Sequence, residues 1–186
     1  MKKVIRVTLI VIGIFVLLSG ITIGGMAFVI SSNNTYKGDT VNTMAGKDIT
    51  SGKALLVYQP SARNTSAGIA DQIARGLIDA GYEVTVSYPG KHMSPDVKDY
   101  SVIVFGSPVY MGKISNILTD YMKNLQNAAG KKIAIYSVGI SPETPELDLA
   151  QKNLNSVVFG KKVKFRGADR DNLNAAYKFG LEMGKE

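Results

Sequence analysis

Ala54-Leu-Leu-Val-Tyr-Gln-Pro-Ser-Ala-Arg-Asn-Thr-Ser66 is an apolar run that breaks into a polar turn. Its first five residues, ended by Gln59-Pro60, suit a strand covered on both faces. Beyond the turn, Ile69, Ile73, Leu77 and Ala80 recur at helical spacing, which predicts a helix over Ser66–Ala80 that stops at Gly81. A strand, a polar turn and a helix start make an anion site. The first N–H groups of a helix lack intrahelical acceptors, and its dipole favours negative charge there.

The same alternation runs to the end of the chain. Ser101-Val-Ile-Val-Phe105 and Lys132-Ile-Ala-Ile-Tyr-Ser137 are continuous apolar runs, whereas Tyr82–Ser87 and Lys162–Arg166 alternate polar with apolar. Helical faces follow: Ile114, Leu118, Tyr121, Met122 and Leu125; then Leu147, Ala150, Leu154, Val157 and Val158 within Pro142–Phe159; then Leu173, Ala176, Tyr177, Gly180 and Leu181 within Asp169–Met183. Strict alternation predicts an α/β three-layer sandwich around a parallel sheet of five strands. Continuous strands belong inside a sheet and alternating ones at its edges, so the expected order is 2-1-3-4-5. The topological switch then lies between strands one and three. A ligand is expected at their carboxyl ends, beside Gln59–Ser66 and Gly106–Lys113.

Val7–Ile30 contains no charged residue and is long enough to cross a bilayer. A cleaved signal peptide is the rival reading, with Lys2 and Lys3 as its basic start and Gly25-Met-Ala27 as small residues for cleavage. Gly20 and Gly24 form a GxxxG pattern, read as tolerated glycine rather than a helix-pairing face. Lys2, Lys3 and Arg6 place the N-terminus in the cytoplasm and the main domain outside it. The expected organisation is a cytoplasmic start (1–6), a single-pass transmembrane anchor (7–30), a flexible polar linker (31–52) and an α/β domain (53–186).

Composition removes several chemistries. The chain has no cysteine and one histidine, His92, so disulfides, thiolate sites, multi-histidine metal sites and a histidine triad are not expected. The 22 Lys and Arg less Lys2, Lys3 and Arg6 leave 19 against 15 Asp and Glu, or +4 of the total +7, on the residues after the span. The basic stretch Lys161-Lys-Val-Lys-Phe-Arg166 lacks interleaved aromatics. It reads as a lysine-guarded edge strand, and nucleic acid is not an expected partner.

Three loops carry a resemblance to a known family: Ser61-Ala-Arg-Asn-Thr-Ser66, Gly106-Ser-Pro-Val-Tyr-Met-Gly-Lys113 and Ser137-Val-Gly-Ile-Ser141. In these loops and in element order, residues 53–186 resemble the flavodoxins. The middle loop is also similar to that of the flavodoxin-type protoporphyrinogen oxidases. The resemblance implies FMN as cofactor. Ser61, Arg63, Asn64, Thr65 and Ser66 would hold its phosphate, and Pro108, Val109, Tyr110, Met111, Gly112, Gly139 and Ile140 would flank its ring. Tyr110 would stack on the ring, and Gly139 would offer it a backbone N–H.

The first loop departs from the family's Thr/Ser-x-Thr-Gly-x-Thr pattern. Arg63 stands at a hydroxyl position and Asn64 at the glycine, a substitution that suits a left-handed backbone. Two functions are therefore expected in competition. One is a membrane-anchored FMN protein in electron transfer or, as an enzyme, an FMN-dependent oxidoreductase, with a redox partner protein or membrane carrier. The other is a module that has lost FMN and binds another ligand or a protein at the membrane.

Overall fold

A computed structural model of the chain describes residues 2–46, 48–154 and 157–185. It divides into two compact units, Met1–Ser32 and Asn33–Glu186. The first is helix α1, Lys2–Asn33, whose Val4–Asn33 stretch has a mean hydropathy of 2.6 in its most apolar window, no residue of which is buried. At 1.5 Å per residue its 30 residues exceed the ~30 Å of a bilayer's hydrocarbon core. The hydroxyls inside the apolar stretch are satisfied within the helix: Thr8 donates to Val4 O (3.0 Å), Ser19 to Phe15 O (2.8 Å) and Thr22 to Leu18 O (2.5 Å). In hydrocarbon no other acceptor would be at hand.

The second unit holds a sheet of six strands, not the five expected. The strands are β1 (Val41–Met44), β2 (Gly52–Tyr58), β3 (Tyr82–Ser87), β4 (Val102–Pro108), β5 (Lys132–Val138) and β6 (Lys161–Phe165), in the order β1-β3-β2-β4-β5-β6. β2 to β6 pair in parallel, and β1 joins the edge antiparallel to β3, from Val41↔Ser87 to Met44↔Val84. The order thus differs from the expected one by an added strand, which comes from the stretch read as a linker. Tyr82–Ser87 alternates because its outer neighbour is this short, exposed strand, but it is not the edge. Four residues in a polar stretch carry too little pattern to announce a strand.

Side chains of the inner strands point alternately to two cores. Ala54, Leu56 and Tyr58 of β2 pack with Ile69, Ile73 and Leu77 of α2 (Thr65–Asp79) and with Ala176 and Phe179 of α5 (Arg170–Lys185). Leu55 and Val57 face the other way, toward Leu118 and Met122 of α3 (Asn116–Lys123) and Leu147 of α4 (Pro145–Lys152). A Cβ on Gly76 would run into Tyr177 O, and one on Gly180 into Ile73 O, so α2 and α5 meet backbone to backbone. Gly81 ends α2 with φ 89°, as its left-handed stop requires.

α4 ends at Lys152, well short of the expected Phe159. Val157 is buried and Val158 is 76 % exposed, on non-helical backbone. The intervening Asn155 and Ser156 lie outside the described residues. The lysines of β6 do not simply guard an edge. Lys162 pairs with Asp148 at 2.6 Å, and Lys164 is buried against Glu146 at 2.9 Å, with side chains 5 % and 1 % exposed. An alternating strand sends Lys162 and Lys164 to the face that α4 covers, and α4 supplies the two carboxylates.

Candidate functional site

The three expected loops lie at the carboxyl ends of β2, β4 and β5, which are adjacent in the sheet. Loop one is tied by its serines. Ser61 N donates to Ser66 Oγ (2.7 Å), Ser66 N donates to Ser61 Oγ (3.2 Å), and Ser66 Oγ donates to Gln59 O (2.9 Å). Below them the buried Tyr136 donates to Ser66 O (3.3 Å), and burial pushes its phenol well above the usual range, so it is a neutral donor. Asn64 has φ 56° and ψ 13°, the left-handed backbone expected at the family's glycine, and makes no side-chain cap to α2. Arg63 and Asn64 are exposed and Thr65 half-buried. Among the described residues no side-chain partner engages Arg63 or Thr65. Of the first N–H groups of α2, that of Ser66 is taken by Ser61 Oγ.

Loop two is a tight two-residue turn. Tyr110 and Lys113 exchange backbone hydrogen bonds at 3.1 Å, and Met111 and Gly112 between them both have positive φ, 51° and 69°. That turn lifts Met111 out to 66 % exposure, while Pro108 ends β4 and Tyr110 is half-buried. Loop three adjoins it. Val109 N donates to Val138 O (2.8 Å), and a Cβ on Gly139 would sit 3.1 Å from Val109 Cβ. Ile140 at its tip is 87 % exposed. Gly139 N–H donates to Phe165 O (3.0 Å), so the donor expected to reach a ring is engaged in the sheet.

Loop three has a buried anchor that sequence reasoning missed. Lys164 Nζ donates to Glu143 O (2.6 Å) besides pairing with Glu146, and Ser137 Oγ donates to Glu146 Oε1 (2.7 Å). The ion pair closes the ends of the loop around Gly139 and Ile140. A lysine on a strand and a glutamate on a helix beyond a loop bear no sequence mark of their pairing.

The segment after α1 is the second omission. Ser115 Oγ donates to Asn33 O (3.0 Å), and Asn116 N donates to Asn34 Oδ1 (2.8 Å), which caps α3. Gln59 Nε2 donates to Thr35 O (3.2 Å), and Ser87 Oγ to Thr40 O (2.6 Å). The chain therefore runs as a strap from the end of β4, past β2, to β3, and turns down as β1. His92 fastens it: Nδ1 faces Asp39 Oδ1 (2.9 Å) and Tyr36 OH (3.2 Å), and Nε2 faces Ser87 Oγ (3.2 Å). The connectivity is that of a serine–histidine–aspartate triad. Ser87, however, is fully buried and its short hydrogen bond to Thr40 O holds its proton, so it is no nucleophile. A groove of about 900 Å³ lies between this strap, the Gly90–Pro95 loop and α3, and none of the expected site residues lines it.

The class of protein this arrangement defines is an open, doubly wound α/β domain with its three loops gathered at the carboxyl ends of β2, β4 and β5, beside the switch point. The sequence model of the flavodoxin domain matches residues 55–176, and the chain belongs to that family. Solved structures agree on the fold. The two-electron reduced flavodoxin of Megasphaera elsdenii is 16 % identical, with a TM-score of 0.61 over 72 % of this chain and 99 % of that one. Oxidised flavodoxin 2 of Bacillus cereus is 19 % identical, with a TM-score of 0.53 over 72 % and 98 %. The rubredoxin oxygen:oxidoreductase of Desulfovibrio gigas is 16 % identical, with a TM-score of 0.58, and the match covers 75 % of this chain and 36 % of that one. No curated protein matches the sequence.

Proposed function

We propose that the protein is an FMN-binding electron carrier, or a small-substrate oxidoreductase, held at a membrane by α1. The observation that carries this reading is the backbone and the unengaged side chains at the start of α2. Asn64 takes the left-handed backbone of the phosphate loop, the helix dipole favours an anion there, and Arg63 and Thr65 have side chains unengaged beside it. Arg63 would add a charge-assisted contact to the phosphate dianion. Tyr110, Met111 and Ile140 offer aromatic and apolar surface to a flat ring, and Gly112 leaves the approach open, with nothing within 4 Å of where a Cβ would stand. Bound FMN supplies one- and two-electron chemistry, and the protein supplies binding, orientation and electrostatics. Tethering at the membrane raises the local concentration of a membrane carrier or neighbouring redox protein. The domain is proposed to lie outside the cytoplasm, which protease added to intact cells tests by digesting it.

A second reading has its own support. Ser66 spends its hydroxyl proton on Gln59 O and Gly139 spends its N–H on Phe165 O, so two donors the family gives to FMN are satisfied internally. On that reading the module has lost FMN and binds another ligand or a protein. Titrating the purified full-length chain with FMN separates the two. The FMN reading expects quenched flavin fluorescence and a shifted visible band, both altered in Tyr110→Ala. Unperturbed free flavin at saturating protein would sink it.

A further inference from the structure

Among the described residues, the buried side-chain polar atom that lacks a hydrogen-bond partner is Asn33 Oδ1. Asn33 is 5 % exposed. Native structures seldom leave a buried acceptor unpaired without a reason. Asn33 is also placed where a ligand is expected. Its carbonyl oxygen accepts from Ser115 Oγ, and Ser115 N donates to Ser107 Oγ (2.9 Å), so it stands against the base of loop two. Two residues on, Thr35 O is held by Gln59, where loop one leaves β2. The strap thus crosses the ends of β4 and β2, the strands that border the topological switch.

We propose that Asn33 is a residue of the flavin site, its amide oxygen accepting a hydrogen bond from the sugar-alcohol chain or ring N–H of the bound nucleotide. The proposal rests on the FMN reading. An amide oxygen needs a donor, and a phosphate dianion has none to give. Asn33 therefore recognises the part of the cofactor that riboflavin shares with FMN, while Arg63 recognises the phosphate. The segment that follows the apolar helix becomes a wall of the site.

The test is binding of FMN and of riboflavin to the full-length chain in detergent micelles. Asn33→Leu is expected to weaken both about tenfold, by the same factor, and to leave the melting temperature of the flavin-free protein unchanged or raised, because the unpaired acceptor is gone. Arg63→Ala is expected to weaken FMN alone. Equal affinity of Asn33→Leu and the parent chain for both flavins overturns the proposal and leaves the FMN reading standing. A parent chain that binds neither flavin overturns both. Should Asn33→Leu fail to fold, hydrogen exchange of residues 33–40 in the parent chain decides. FMN slows it if the strap walls the site, and exchange that ignores FMN overturns the proposal.

Discussion

At the scale of the residue, Asn64 shows how a substitution at a family position keeps the backbone while altering the chemistry. A residue with a Cβ loses roughly 1–2 kcal/mol in the left-handed region, and asparagine loses less than most. Asn64→Gly is therefore expected to leave stability within about 0.5 kcal/mol, and Asn64→Val to cost about 1–2 kcal/mol, both read by urea unfolding. A valine variant as stable as the parent would mean that the loop has another backbone available. Lys164 and Glu146 test a different balance. Removing one partner of a buried ion pair leaves an uncompensated charge, so Lys164→Met is expected to cost about 3–5 kcal/mol. Converting both, to Lys164→Met with Glu146→Leu, should recover most of that loss. A double variant as unstable as the single one would show that the loss comes from packing, not charge. Asn64 was legible in the sequence because a backbone preference is local. The buried pair was not, because each partner is an ordinary surface residue until a fold brings them together.

Individual elements show which sequence signals survive packing. α2 lies within a residue of its expected bounds, since apolar spacing and Gly81 both mark it. α4 stops at Lys152 although apolar residues continue at helical spacing, because Val157 and Phe159 are buried on the way into β6 without helical backbone. α5 starts where Asp169 accepts from Asn172 N (2.9 Å) and from Asn172 Nδ2 (2.7 Å). The backbone hydrogen bond, and then the side-chain one, hold the Asp169 carboxyl below its usual 3.8. A carboxylate depressed in the folded state stabilises above the unfolded pKa, and that contribution is lost as pH falls through the folded one. Asp169→Asn keeps a capping oxygen but no proton to bind. Its melting temperature is expected to fall less steeply than the parent's as pH drops from 5 to below the usual 3.8. Parallel curves for the two proteins would exclude Asp169 from the acid response.

For the whole molecule, the strap from Asn33 and the extra strand join the carboxyl end of the sheet to its β3 edge. Ligand linkage gives a prediction at this scale. A ligand that binds only the folded state stabilises by about 2.7 kcal/mol at a hundredfold excess over its Kd. FMN is therefore expected to raise the melting temperature of the flavin-free protein by several degrees and to steepen protection of loops one, two and three together. Removal by dialysis should return the melting temperature to its starting value. An unmoved melting temperature at millimolar FMN would favour the module that has lost its cofactor.

The sequence by itself determined the apolar helix, the helices that follow β2, β4, β5 and β6, the neighbour relations of the five parallel strands and the three loops at their carboxyl ends. Those follow from periodicity, turn residues and burial pattern, which are properties of contiguous residues. The strict alternation it predicted fails between β3 and β4, which no helix separates among the described residues. Only the tertiary structure decided that Val41–Met44 extends the sheet, that Asn33–Thr40 is strapped across its carboxyl end and that Lys164 is buried on Glu146. It also decided that the serines of loop one and the N–H of Gly139 bond within the domain. These depend on which polar groups meet across the fold, and a hydrogen bond between distant residues leaves no period in the chain.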